Sequence, residues 1–124
     1  IINNENIIQR LIESNKKIIA PKLKSQGDNP YANFWRDIDD NGWYLQTQDY
    51  LHIAFDKITG VWNCPHISDF ILIRKDFVKD CISKFTNGYT HERGDYMTFC
   101  KNLRNSGDFV YIDNQEYYGY LIVD

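Results

Sequence analysis

The sequence has no run of lysine and arginine and no basic stripe. Its 14 Lys and Arg are scattered among 17 Asp and Glu, for a formal net charge of −3. A nucleic-acid surface needs clustered positive charge, so that class is excluded. No apolar stretch approaches the ~20 residues that cross a bilayer, so no transmembrane segment is expected. No signal peptide is visible, and the chain opens on Ile1 rather than Met. That opening reads as the start of a piece of a longer chain. There is no glycine-rich phosphate loop and no Gly-x-Ser-x-Gly elbow, which removes P-loop and serine-hydrolase chemistry. The three cysteines, Cys64, Cys81 and Cys100, are odd in number and show no metal-ligand spacing. Cys81 and Cys100 fall on apolar helix faces and read as buried thiols. Cys64, beside Pro65, reads as the accessible one.

What is present is aromatic. Phe, Trp and Tyr make up 15% of the 124 residues, which predicts a packed core the size of one domain. The stripe Ile7, Ile8, Leu11 and Ile12 predicts a helix over 4–15, with Asn3 or Asn4 as its cap. Lys17 to Ala20 predicts a buried strand stopped by Pro21. Residues 22–42 read as irregular, with the aromatic stretch Tyr31 to Trp35 set inside a polar loop. Phe34 and Trp35 are expected to tuck under that loop. Trp43 to Phe55 reads as β-leaning. Thr59-Gly60 turns into a strand at Val61–Cys64, and Phe70 to Ile73 reads as a strand covered on both faces. Asp76 is expected to cap a helix reaching Phe85, and Asp95 to open another through Asn105 that Gly107 ends. Phe109–Ile112 and Tyr120–Val123 read as strands. Alternating strands and helices predict an α/β sheet with helices packed on it.

The residues offer little catalytic chemistry. A facial-triad iron site needs His-x-Asp or His-x-Glu plus a distant His. His52, His66 and His91 are followed by Ile53-Ala54, Ile67-Ser68 and Glu92-Arg93, so none makes the pair. Asp37-Ile38-Asp39 has the Asp-x-Asp spacing that holds a divalent cation in nucleotide-sugar transferases. It follows no apolar strand and reads as a solvated acidic turn.

The order and spacing of several short motifs carry a family resemblance. Ile18-Ile19-Ala20-Pro21, Asn33-Phe34-Trp35, Tyr44 and Asp49-Tyr50 come first. Gly60-Val61-Trp62-Asn63-Cys64-Pro65-His66-Ile67-Ser68 and Leu72-Ile73 follow. Met97-x-Phe99-Cys100, Arg104, Gly107, Phe109, Asn114-Gln115 and Gly119 complete the set. Over nearly the whole chain this resembles the procollagen lysyl hydroxylases and collagen hydroxylysine glycosyltransferases. The resemblance implies a GT-A-like, Rossmann-like mixed sheet flanked by helices. Residues 1–124 would be the C-terminal part of one glycosyltransferase-like accessory domain, with the hydroxylase domain outside this chain. It implies iron(II), 2-oxoglutarate and ascorbate for hydroxylation, and manganese and a UDP-sugar for glycosyl transfer, elsewhere in such an enzyme. It also implies a collagen or collagen-like substrate, contacts with other domains of the same chain and a homodimer. The compartment implied is the endoplasmic reticulum lumen, or the host cell for a viral homologue.

The sequence departs from the family where chemistry would sit. Gly94-Asp95-Tyr96 stands where the family shows Asp-Pro-Asp, leaving Asp95 as the remaining candidate base. A shift of one position turns a helical side chain by about 100°, so Asp95 reads better as a helix cap. Glu116 follows Asn114-Gln115 where the family often has His, and is the remaining candidate metal ligand. Trp35, Trp62 and Asn63 are candidate sugar- or acceptor-binding residues, although Trp62 reads first as core, with Asn63 bonding backbone in the turn before Pro65. Three functions follow: a structural accessory domain with a degenerate glycosyltransferase fold, part of an active UDP-sugar-dependent hydroxylysyl glycosyltransferase, or a generic α/β binding domain.

Overall fold

The computed structural model describes residues 1–122. In chain order the elements are α1 (Ile7–Glu13), β1 (Ile18–Pro21), β2 (Lys24–Ser25), β3 (Phe34–Trp35), β4 (Asp37–Ile38), β5 (Tyr44–Leu45), α2 (Gln48–Ala54), β6 (Val61–Cys64), β7 (His66–Ile67), β8 (Leu72–Ile73), α3 (Val78–Ile82), α4 (Gly94–Asn105), β9 (Val110–Asp113) and β10 (Tyr120–Leu121). Four strands form a mixed sheet in the order β6-β9-β1-β8. β1 runs parallel to β9, while β6 and β8 are antiparallel to their neighbours. The expected mixed sheet flanked by helices is therefore present.

The sheet separates two cores by simple alternation of side chains. Ile18 and Ala20 of β1, Val110 and Ile112 of β9, and Cys64 of β6 face the larger core, which α2, α3 and α4 cover with Tyr50, Cys81 and Phe99. Ile19, Tyr111 and Leu72 face the other side, where α1 contributes Ile7 and Leu11 and the C-terminal segment contributes Tyr118. β1 is buried at every position. Pro21 takes its last position, where the missing N–H costs the ladder nothing further. Lys22 resumes the pairing by donating its N–H to the Asp113 carbonyl at 2.7 Å.

Two buried carboxamides tie the irregular segments to this sheet. Asn33 accepts from the Leu23 N–H at 2.8 Å and donates to the carbonyls of Pro21 and Ser68. Asn114 Oδ1 accepts from the Gly60 N–H at 2.8 Å and from Trp62 Nε1 at 2.9 Å. Its Nδ2 donates to the carbonyls of Ile53 and Ile58 and to Asp56 Oδ1. The partners fix the orientation of each amide, because N–H groups only donate and carbonyls only accept. Lys22, 5% exposed, completes the Asn114 cluster. Its Nζ donates to the Ala54 carbonyl at the end of α2 and pairs with Asp56 at 2.9 Å. A cation there also complements the negative end of the helix dipole.

Several expectations are corrected. Trp43–Phe55 is not extended throughout: after the short β5 it becomes α2, because Thr47 Oγ1 accepts the Tyr50 N–H at 3.1 Å and caps a helix that buries Tyr50, Ile53 and Ala54. Phe70–Ile73 does not form a strand covered on both faces. Only Leu72–Ile73 pair, at a sheet edge, and Asp69 turns the chain beforehand with φ +71°. α1 starts three residues late, since Asn4 Oδ1 accepts the Asn6 N–H and shapes a turn instead of capping. Of its apolar stripe, Ile7 and Leu11 are buried while Ile8 and Ile12 are exposed. The helix expected from Asp76 to Phe85 is broken into 3₁₀ turns around α3, with no side-chain cap. Cys64 is buried like the other two cysteines. The strand expected at Tyr120–Val123 forms at Tyr120–Leu121, and Val123 lies outside the described residues.

α4 ends as its sequence predicts. Gly107 has φ +77° and donates to the Arg104 carbonyl, and the Asp108 N–H returns to the Leu103 carbonyl at 3.0 Å. These two bonds form a Schellman closure, in which glycine supplies the left-handed residue. The chain then enters β9.

Replacing Asn114 tests how much the carboxamide cluster contributes. Asn114→Ala strands the Gly60 N–H, the Trp62 indole N–H and two carbonyls, and the expected loss is about 3–5 kcal/mol by urea denaturation. A loss below about 1 kcal/mol, the net value of one ordinary hydrogen bond, would contradict this role.

Candidate functional site

The aromatic loop folds into a stack. Trp35 lies between Tyr44, at 5.1 Å and 8°, and Tyr50, at 4.8 Å and 17°. Tyr50 is fully buried and its ionisation is pushed up to about 12 by burial. Trp35 is half-buried, so one part of it serves the core and the rest borders a groove. Phe34, the residue before it, is completely buried against Tyr50. The expectation that Phe34 and Trp35 tuck beneath the loop holds for Phe34 and for half of Trp35.

His66 sits at the base of the same groove. β3 pairs with β7 so that Trp35 stands opposite His66. The Tyr44 hydroxyl lies 3.2 Å from His66 Nδ1, and the two rings are 4.7 Å apart. Burial, with the Arg104 charge behind it, lowers the His66 pKa to about 4. Burial raises the Tyr44 ionisation as well. The pair is therefore neutral at pH 7, and the imidazole tautomer sets which of the two donates across the contact. Arg104 donates to the Pro65 carbonyl at 2.6 Å, which fixes the turn between Cys64 and His66. A neutral, aromatic, partly buried surface of this kind suits a sugar face or an apolar ring.

Asp95 and Tyr96 stand at the mouth of this groove, with Trp35, Tyr31 and Arg93 around them. The structure thus brings Asp95 and Trp35 to one site. Asp95 does not cap α4: the cap position is Arg93, with no side-chain cap bond, and Asp95 is an exposed first-turn acid. Its charge favours the helix N-terminus without a bonded partner.

Trp62 and Asn63 lie elsewhere. Trp62 is half-buried on the edge strand β6, its indole N–H held by Asn114 and its ring close under Gly60. Asn63 does not bond the turn before Pro65 with its side chain, which is exposed; its backbone carbonyl accepts from the Arg36 guanidinium. Arg36 also pairs with Asp49 at 2.6 Å and lies 6.0 Å from the Trp62 ring centroid. Asn63 and Arg36 line a cavity of about 650 Å³ that Arg104 and Phe109 also border.

Glu116 is remote from all of these, on the α1 side of the sheet. It forms an ion pair with Arg10 and accepts from Asn4 Nδ2 at 3.3 Å. Asp39 Oδ1 accepts the N–H groups of Asn41 and Trp43, so Asp37-Ile38-Asp39 shapes the β4–β5 hairpin. Among the described residues no three His, Cys, Asp or Glu side chains converge where a metal ion could be held. His66 contacts Tyr44, and His52 contacts Gln48. Burial pushes the Cys64 and Cys100 thiols up, Cys100 to about 11, so both are poor nucleophiles.

The sequence alone did not single out Tyr44, His66, Arg93 or Arg104. Tyr44 and His66 both fall inside the motif matches, but 22 positions separate them; β3 pairs with β7 to set Trp35 opposite His66, and Tyr44 of β5 stacks on that Trp35.

Comparison with known proteins is consistent with the fold. Residues 1–124 match the family described as glycosyltransferase family 25, N-terminal domain. The multifunctional procollagen lysine hydroxylase and glycosyltransferase of Caenorhabditis elegans is 36% identical over 121 residues, covering 94% of this chain and 16% of the relative. The human multifunctional procollagen lysine hydroxylase and glycosyltransferase LH3 is 32% identical over 122 residues, covering 98% and 16%. The Gallus gallus procollagen-lysine,2-oxoglutarate 5-dioxygenase 1 is 30% identical over 122 residues, covering 98% and 17%. The chain therefore spans 16–17% of the length of these relatives.

The neutral His66 makes stability depend on pH. Its folded pKa is below the unfolded one, so the unfolded chain takes up the proton first. Stability is full above pH 6.5 and falls as the pH drops toward 4, by up to about 3 kcal/mol. His66→Gln should flatten that part of the denaturation profile. An imidazole that titrates near pH 6.5 by NMR would contradict the burial argument.

Proposed function

Because the chain belongs to glycosyltransferase family 25, we propose that it serves a collagen-modifying enzyme that hydroxylates lysine and glycosylates hydroxylysine. In this reading residues 1–124 are the C-terminal part of a glycosyltransferase-like accessory domain. The domain keeps the fold and spaces the catalytic domains, and the acceptor is collagen or a collagen-like polypeptide.

The observation that carries the accessory role is the commitment of Glu116. A metal-dependent transferase needs a free hard ligand to neutralise the diphosphate leaving group. Here that carboxylate is neutralised by Arg10 and oriented by Asn4. Iron(II) and 2-oxoglutarate belong to a different domain in this reading, as do manganese and the UDP-sugar.

One observation favours the active-transferase reading. Asp95 shares its groove with the open edge of Trp35, an arrangement that presents an acceptor hydroxyl to a carboxylate base. The two readings separate by calorimetry on a chain spanning the whole length of the relatives. UDP-glucose or UDP-galactose with manganese is titrated into protein carrying Arg10→Ala, Asp95→Asn or neither. The accessory reading expects neither Asp95→Asn nor Arg10→Ala to change the heat. Saturable binding at this domain that strengthens in Arg10→Ala, with transfer lost in Asp95→Asn, would replace it with an active transferase.

A further inference from the structure

Three cavities lie end to end along α4. The first, about 320 Å³, is bordered by Tyr31, Trp35, Asp95 and Tyr96. The second, about 230 Å³, lies between Lys101 and the Asp39-Asp40-Asn41-Gly42 turn. The third, about 650 Å³, reaches Phe109. They share walls. Tyr44, His66, Arg93 and Met97 line both the first and the second. Ile38 and Arg104 line both the second and the third.

The residues that the cavities share show that this is one trough. Arg93, which precedes α4, and Met97, Lys101 and Arg104 on it recur every three or four positions, so they mark one face of the helix. The opposite wall is the segment from Tyr31 to the β4–β5 hairpin. The helix wall carries three cations, and the hairpin wall carries Asp37, Asp39 and Asp40. The aromatic rings gather at the N-terminal end of α4. Twelve helical residues extend about 18 Å, which matches about six residues of polyproline II chain at ~3.1 Å each.

We propose that this trough is a non-catalytic docking groove for one extended, proline-containing polypeptide strand; the choice of strand rests on the collagen reading above. Polyproline II chain has no internal hydrogen bonds and loses little entropy on docking, and aromatic-lined grooves are its usual receptors. Its rings would lie against Tyr31, Tyr96 and the open edges of Trp35 and Tyr44. Acidic side chains of the strand would face Lys101 and Arg93, and basic ones the hairpin carboxylates. A closed triple helix does not fit, because each cavity is the size of a few side chains.

The test is a nitrogen-15 NMR titration of the full chain with the hexapeptide Gly-Pro-Pro-Gly-Pro-Glu, which is too short to form a triple helix. The control peptide has each proline replaced by alanine. Saturable shifts are expected along residues 93–105 and the 37–45 hairpin. Affinity is expected to fall about threefold or more in Tyr96→Ala, in Lys101→Glu and for the control peptide. Both substitutions are at exposed positions, so the spectrum itself reports whether the fold is kept. Shifts confined to another surface, no saturation at millimolar peptide, or equal affinity for both peptides would overturn the proposal. Nucleotide-sugar heat bears only on catalysis, so the failure of either reading is visible by itself.

Discussion

The fold depends on one buried carboxamide. Asn114 is 1% exposed and lies just after the central strand β9. Through its two ends it joins the close of α2, the turn at Ile58–Gly60 and the indole of Trp62. Lys22 and Asp56 extend the cluster to the end of β1. Three segments far apart in the chain, at Lys22, at residues 53–62 and at Asn114, therefore meet in one cluster. A polar group this deep stabilises only if every donor and acceptor is matched, and here they are.

That cluster explains what the Gly60-Val61-Trp62-Asn63 signature is for. A Cβ at Gly60 would press on the Trp62 ring, at 3.2 Å from its nearest atom. Gly60 also exchanges backbone hydrogen bonds with Asn114, its N–H to the side chain and its carbonyl from the backbone N–H. Val61 packs into the α1 core, while Trp62 packs against the other. Gly60, Val61 and Trp62 each have a structural task, while Asn63 contributes its backbone carbonyl and leaves its side chain exposed. Family likeness at this motif therefore reports the fold, and catalysis has to be argued from other residues.

Local chemistry was legible in the sequence where one element decides it. β1 follows from Ile18-Ile19 and Pro21, and the end of α4 follows from Gly107. α2 was hidden because Tyr50 and Ile53 favour strands by composition, while the deciding signal was the Thr47 cap. The Phe70–Ile73 run was misread because its hydrophobicity suggested burial on both faces, yet the left-handed Asp69 and an edge position leave it half-open. The site was less legible still. Trp35 and Asp95 were named separately, but their meeting depends on how the loop packs on α4. Tyr44 with His66, Trp62 with Asn114 and Glu116 with Arg10 are all long-range pairs that no local pattern predicts.

The same geometry separates scaffold from surface. The clamps at Asn33 and Asn114 hold the sheet, and the Trp35 stack grows out of the larger core to form one wall of the trough. The proposed docking surface is that wall and the α4 face opposite it. The account requires the Asn114 cluster to open only when the whole domain unfolds. Native-state hydrogen exchange at the Gly60 amide and the Trp62 indole measures this directly. The account predicts that both exchange with the free energy of global unfolding. Exchange at either site through a much smaller local opening would contradict it.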